Sequence, residues 1–247
     1  MGYSKVRRTI KEALVYRFSR PRPPRHPTPF SGPVLVIGSA PISNLPKGFD
    51  ERFAVLTVNG SQAIAKQWGI RKPDATFLQF NQVEGTNDNA VAVRRVLEGQ
   101  ETVLLHVIRW PFGEQLLRDG LAAFNYRYDD LRLVDQYQRM ALREAVMGKR
   151  HSELDNARKF SNGITAVLYA LHSEAQAVVI SGINPRSSGH AYNDLGLPRL
   201  HGDMDLSILL ELHARGVGLF TADPEVATSI GLPLWPGHIR ACRHSGH

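Results

Sequence analysis

The sequence predicts an α/β fold: one doubly wound, mostly parallel, Rossmann-like sheet. Three observations predict it. Short apolar runs recur along the chain without polar alternation, as strands buried on both faces require. Segments of helical spacing stand between them, in the order that builds crossover units. A length of 247 residues, with 43% hydrophobic and 21% charged side chains, suits one well-filled core.

The first strand is expected at 34–37, where Val-Leu-Val-Ile follows Pro33 and runs into Gly38-Ser39-Ala40-Pro41. Further strands are expected at 54–58, 75–80, 102–108 and 177–183, with a last one near 217–221. Helical spacing marks 62–68, 90–97, 113–122, 162–172 and 205–213. Residues 129–160 show no clear period and are expected to be helical, as an insertion near the site. In a sheet of this kind ligands bind beyond the carboxyl ends of the strands. The domain then spans 33–237, with a short lid near 184–202 and a flexible tail at 238–247.

Residues 1–32 form a separate arm and linker. Eight of the 30 basic side chains fall within residues 1–26 beside one acid, Glu12. The net charge of +7 therefore belongs to the arm, and the balanced body argues against a nucleic-acid partner. On a helix, Val6, Ile10, Leu14 and Phe18 align at i+4 spacing. Two readings of this stripe stand side by side: packing on the domain or on a second copy in a homo-oligomer, or contact with an anionic membrane surface. Arg-Pro-Arg-Pro-Pro-Arg-His-Pro at 20–27 makes a stiff linker. No apolar run approaches the ~20 residues of a membrane span, and the first residues lack the apolar core of a secretory signal. Cys242 is a lone cysteine, which fits a reducing compartment. The expected location is cytoplasmic, with a peripheral station at the inner membrane.

Several polar or small residues sit at the ends of apolar runs. Gly38-Ser39-Ala40 lets a backbone approach a ligand closely and offers N–H groups to phosphate, or makes a plain tight turn. It is neither G-x-G-x-x-G nor a P-loop. Asn59 and Asn81 end the second and third runs; an amide suits a ribose or base edge, and equally an Asx-turn or cap. Ser161-Asn162-Gly163 opens a helix, with Ser161 or Asn162 as the cap and Arg158 or Lys159 adding charge. Gly182 and Asn184 close the strand 177–183, and a polar loop then carries Arg186 and Tyr192. His201 precedes an apolar helix.

These segments, in this order, resemble the bacterial sialyltransferases of glycosyltransferase family 42, over roughly residues 33–235. The family's turn after strand one is matched by Gly38-Ser39-Ala40-Pro41-Ile42, and its nucleotide-contacting asparagines by Asn59 and Asn81. Its Ser-Gly helix start is matched by Ser161-Asn162-Gly163, and its Ser-Gly-Ile-Asp strand end by Ser181-Gly182-Ile183-Asn184. Two tyrosines that hold the leaving phosphate fall on Arg186 and Tyr192, and the general-base histidine on His201. The resemblance implies a GT-A-variant fold and an inverting transferase that needs no metal or other cofactor. It further implies a CMP-activated acidic sugar as donor and a glycan or lipid-linked acceptor. Here eight residues separate Tyr192 from His201, fewer than in the family's lid.

Other patterns carry blander readings. Asp203-Met204-Asp205 has a D-x-D form, but before an apolar helix its acids serve as cap and first-turn charge. His238, Cys242, His244 and His247 are zinc-ligand types at no standard spacing. Trp110, with Arg109 and Pro111, lines an acceptor side or packs in the core or a lid. Two other classes compete with a transferase: a non-catalytic nucleotide- or glycan-binding module of a surface-polysaccharide pathway, and a pterin-type pyrophosphokinase.

Overall fold

A computed structural model describes residues 3–153, 158–193, 195 and 200–239. Seven parallel strands make one sheet: β1 (Pro33–Ile37), β2 (Ala54–Val58), β3 (Ala75–Gln79), β4 (Glu101–Ile108), β5 (Arg127–Val134), β6 (Ala177–Ser181) and β7 (Leu219–Thr221). Their spatial order is β5-β4-β3-β2-β1-β6-β7. The chain builds outward from β1 to β5, then crosses back to place β6 on the other side of β1. That reversal is a topological switch point, and it opens a crevice at the carboxyl ends of β1 and β6.

The helices are α1 (Tyr3–Ser19), α2 (Gln62–Gln67), α3 (Phe80–Glu84), α4 (Asp88–Leu97), α5 (Glu114–Ala122), α6 (Gln136–Met147), α7 (Asn162–His172), α8 (Gly202–Ala214) and α9 (Pro224–Ile230). Alternate strand residues feed two cores. Val34, Val36, Leu56, Phe77 and Ile180 pack with α6, α7, α8 and α9 on one face. On the other, Leu35, Ile37, Val55 and Val179 meet α2, while Leu78, Leu105 and Val107 meet α4 and α5. Period-two alternation with both faces apolar is what makes these strands read as unbroken hydrophobic runs.

One expectation fails. Of the stretch 129–160, expected to be helical, the first residues, 129–134, belong to the edge strand β5, and 136–147 coil as α6. The strand carries Arg127, Asp129, Asp130 and Arg132, and most of it is exposed. Charge on an exposed edge blocks further pairing, and it also erases the apolar signature of a strand. A capping box follows: Asp135 Oδ1 accepts from the Gln138 N–H, and Gln138 Oε1 from the Asp135 N–H.

Candidate functional site

The floor of the crevice is the junction of β1 and β6. Gly38 N–H donates to the Ser181 carbonyl at 2.8 Å and Ala40 N–H to the Gly182 carbonyl at 2.7 Å. A Cβ on Gly38 would lie 2.4 Å from the Gly182 oxygen, so a side chain there would push the two strand ends apart. Gly182 has φ +63°, which only glycine adopts without strain. Its N–H donates to Oδ2 of buried Asp223 at 2.7 Å, while Oδ1 accepts from the Asn44 N–H and Nδ2. Burial raises the Asp223 pKa despite those donors. Ser181 is spent on the same tie, its hydroxyl donating to the Asn44 carbonyl at 2.9 Å.

Above this floor lies a cleft of about 360 Å³, within the ~300–1,000 Å³ usual for small-molecule sites. The segments singled out in the sequence meet there. Gly38, Ser39, Asn59, Asn81, Ser161, Asn162, Gly163, Gly182 and His201 all line it. Asn59 takes φ +50°, and its Oδ1 accepts from the Gln79 N–H at 3.0 Å, which fixes the ends of β2 and β3 together. Ser161 caps α7, its hydroxyl accepting from the Ile164 N–H. Asp205 Oδ1 accepts from the Ser161 N–H at 2.8 Å and so holds the start of α8 against that of α7. Gly202 lies so near the Pro185 carbonyl that a Cβ would sit 2.7 Å from its oxygen. Both helices therefore open at the cleft, and their amino ends favour negative charge.

Four expected residues stand off the cleft wall. Ala40 is buried, its N–H committed to Gly182. Asn184 is buried in a turn, where its Oδ1 accepts from the Arg186 N–H at 3.0 Å. Arg186 is exposed and does not line the cleft. The Tyr192 ring stacks on His190 at 5.1 Å and 7°, and it fills the space a Cβ on Gly60 would occupy. His190 instead lines the cleft, with Nδ1 2.9 Å from the Ser39 hydroxyl. Asp194 and residues 196–199 of the expected lid lie outside the described residues, as do Cys242, His244 and His247. Among the described residues no three His, Cys, Asp or Glu side chains group as a metal site would need.

The structure also brings in residues that sequence reasoning passed over. Gln79, Gln82, Asn89 and Arg139 line the cleft, beside Arg109 and Lys159, which the sequence singles out. Arg139 and Arg109 both pair with buried Glu153, Arg139 at 3.2 Å. Arg139 also donates to the Phe160 carbonyl at 2.6 Å, and its guanidinium stands 4.5 Å over the Phe160 ring. Burial lowers the Arg139 pKa from the usual guanidinium value, with Glu153 opposing the shift. One signal was available: Arg139 occupies the apolar stripe of α6 with Leu142 and Val146, the place of a buried, paired charge. Arg109, Arg139 and Lys159 against Asp205 leave the cleft lining predominantly basic. Trp110 packs by α5 and donates to the Gly113 carbonyl, outside the cleft.

Seven parallel strands with a polar, basic cleft at their switch point define the class: a doubly wound α/β protein with a ligand-sized site. Within that class the fold is that of bacterial sialyltransferases. CstII from Campylobacter jejuni, in complex with a substrate analogue, CMP-3FNeuAc, is similar at TM-score 0.53 and 15% identity, over 85% of this chain and 88% of that one. A CST-II complex with a trisaccharide acceptor and CMP aligns at TM-score 0.51 and 14% identity, over the same shares. Monofunctional alpha-2,3-sialyltransferase Cst-I from Campylobacter jejuni aligns at TM-score 0.51 and 12% identity, over 89% and 86%. No protein-family model and no curated protein matches the chain.

Proposed function

We propose that this chain is an inverting, metal-independent glycosyltransferase. It moves a sialic-acid-like or other acidic sugar from a CMP donor to a glycan or glycolipid acceptor. The observation that carries the reading is convergence: loops from the ends of β1, β2, β3 and β6 and the starts of α7 and α8 share one cleft, with His201 on its wall. The solved sialyltransferases of the same fold are bound to CMP, a CMP-sugar analogue and an acceptor, which supports the same ligand class here.

In this reading the acceptor hydroxyl attacks the anomeric carbon as His201 takes its proton. The bond from that carbon to the phosphate oxygen breaks, and CMP leaves with the electron pair. An imidazole, with an ordinary pKa of ~6.5, suits a base at neutral pH. Asn59 and Asn81 present amides to the nucleoside, and the amino ends of α7 and α8 with Lys159 receive the leaving phosphate. Arg109 and Arg139 give an acidic sugar a cationic wall. Tyr192 keeps a supporting part by bracing His190. The basic arm gives the enzyme a peripheral station at a membrane that carries lipid-linked acceptors.

Following CMP release from CMP-sialic acid tests the reading. His201→Ala is expected to lower release by roughly a hundredfold or more while CMP affinity stays within about twofold. Unchanged release in that variant contradicts the assignment of the base. Tight binding by the native chain without turnover favours the non-catalytic module.

A further inference from the structure

Helix α1 is mounted the wrong way round for a helix that merely packs on a domain. Its polar edge faces the body. Tyr16 OH donates to Glu144 Oε2 on α6 at 2.5 Å, and the Ser152 hydroxyl donates to Glu12 Oε2 at 2.5 Å. The Arg150 guanidinium covers the Tyr16 ring at 4.5 Å. Glu12, the sole acid of the first 26 residues, is thereby buried. Beyond the helix, His26 N–H donates to the Ser173 hydroxyl and Phe30 enters the core, so the linker is tied down as well.

The apolar stripe consequently points away from the protein. Ile10, Leu14 and Phe18 are 54%, 49% and 78% exposed. Arg7 and Lys11 share a shallow surface groove with Ile10, Leu14 and Val15, and Arg17 stands in the last turn. A surface helix ordinarily buries its stripe and exposes its charges. Here an apolar ridge is rimmed by cations, and Glu12, the sole acid of residues 1–26, is buried.

We infer that this face of α1 is a preformed docking plane for an anionic lipid bilayer, with Leu14 and Phe18 entering the acyl boundary and Arg7, Lys11 and Arg17 meeting headgroup phosphates. Charge selects this occupant. A second copy pairing through the same stripe would bring two basic rims together, whereas anionic headgroups complement them. Because α6 carries both the Glu144 anchor of α1 and Arg139 of the cleft, docking fixes which way the cleft faces. The inference is independent of what the cleft binds.

Sedimentation of the full chain with vesicles tests it. Vesicles of phosphatidylcholine with phosphatidylglycerol should bind the protein roughly tenfold more tightly than phosphatidylcholine alone, with the difference shrinking as salt is raised. The double substitution Leu14→Gln, Phe18→Gln should weaken binding by roughly tenfold. Arg7→Gln with Lys11→Gln should remove most of the preference for anionic lipid. Since all four side chains face outward, melting temperature and CMP affinity should not move. Failure to bind either vesicle, or binding indifferent to the Leu14 and Phe18 changes, overturns the inference. So does light scattering that shows those changes splitting a dimer.

Discussion

His106 sits in the middle of β4, its ring stacked on Phe77 at 4.6 Å and edge-on to Tyr169 at 4.9 Å. Neither ring nitrogen finds a protein partner among the described residues. Burial, with Arg132 and His26 adding to it, pushes its pKa down to about 3. The folded value is depressed, so the neutral ring stabilises the fold in full above the unfolded pKa of ~6.5, and that stability drains as pH falls towards the folded value. The slope is at most about 1.4 kcal/mol per pH unit. His106→Phe keeps a ring in the stack and removes the proton. Thermal melts between about pH 6 and about pH 4 should lose much of their acid slope in this variant; an unaltered slope would place the acid sensitivity elsewhere. Nothing in the sequence flagged this residue, because one histidine in the run 102–108 looks like any strand position. Asn59 and Ser161 were legible because each ends a run where cap and turn chemistry is needed. That Tyr192 and Arg186 do not line the cleft was not legible, because a loop's direction depends on what it packs against. Here that is Gly60 and the Asn184 turn.

At the scale of elements, the site depends on the junction of β1 with β6. Gly38, Gly182 and Asp223 clamp it, and Gly38 has no room for a methyl group. Gly38→Ala should therefore cost about 1–3 kcal/mol of stability through overpacking and weaken CMP binding by roughly tenfold or more, as the cleft floor shifts. Melting temperature and a CMP titration check both halves, and a variant with native stability and affinity would show the junction to be slack. The strands of the central sheet were legible, since burial on both faces leaves an unbroken apolar signature. Strand β5 was not, because an edge must carry charge, and charge reads as surface in any conformation. The stripe on α1 was plain in the sequence, but not the direction it faces. That is set by Glu12 and Tyr16 finding Ser152 and Glu144, contacts more than 100 residues away in the chain.

For the whole molecule, topology does most of the work. Reversal of the winding between β1 and β6 forces a crevice at one edge of the sheet, and parallel strands deliver all their carboxyl ends to that edge. Loops 38–39, 59, 81, 161–163 and 182 are scattered in the sequence yet meet there for that reason. A likeness at 12–15% identity is a likeness of fold, so the cleft's ligand rests on the chemistry of its lining. That lining combines amides (Asn59, Gln79, Asn81, Gln82, Asn89 and Asn162) with the cations Arg109, Arg139 and Lys159. The shared fold accounts for the sheet and its crevice, whereas Arg139 and Glu153 come from a stretch with no readable period. Calorimetric titration of the full chain with CMP, with UDP as the control, puts the claim most directly at risk. CMP should bind, and UDP should bind at least roughly tenfold more weakly; silence with CMP, or equal affinity for UDP, would contradict a CMP-sugar site in this cleft.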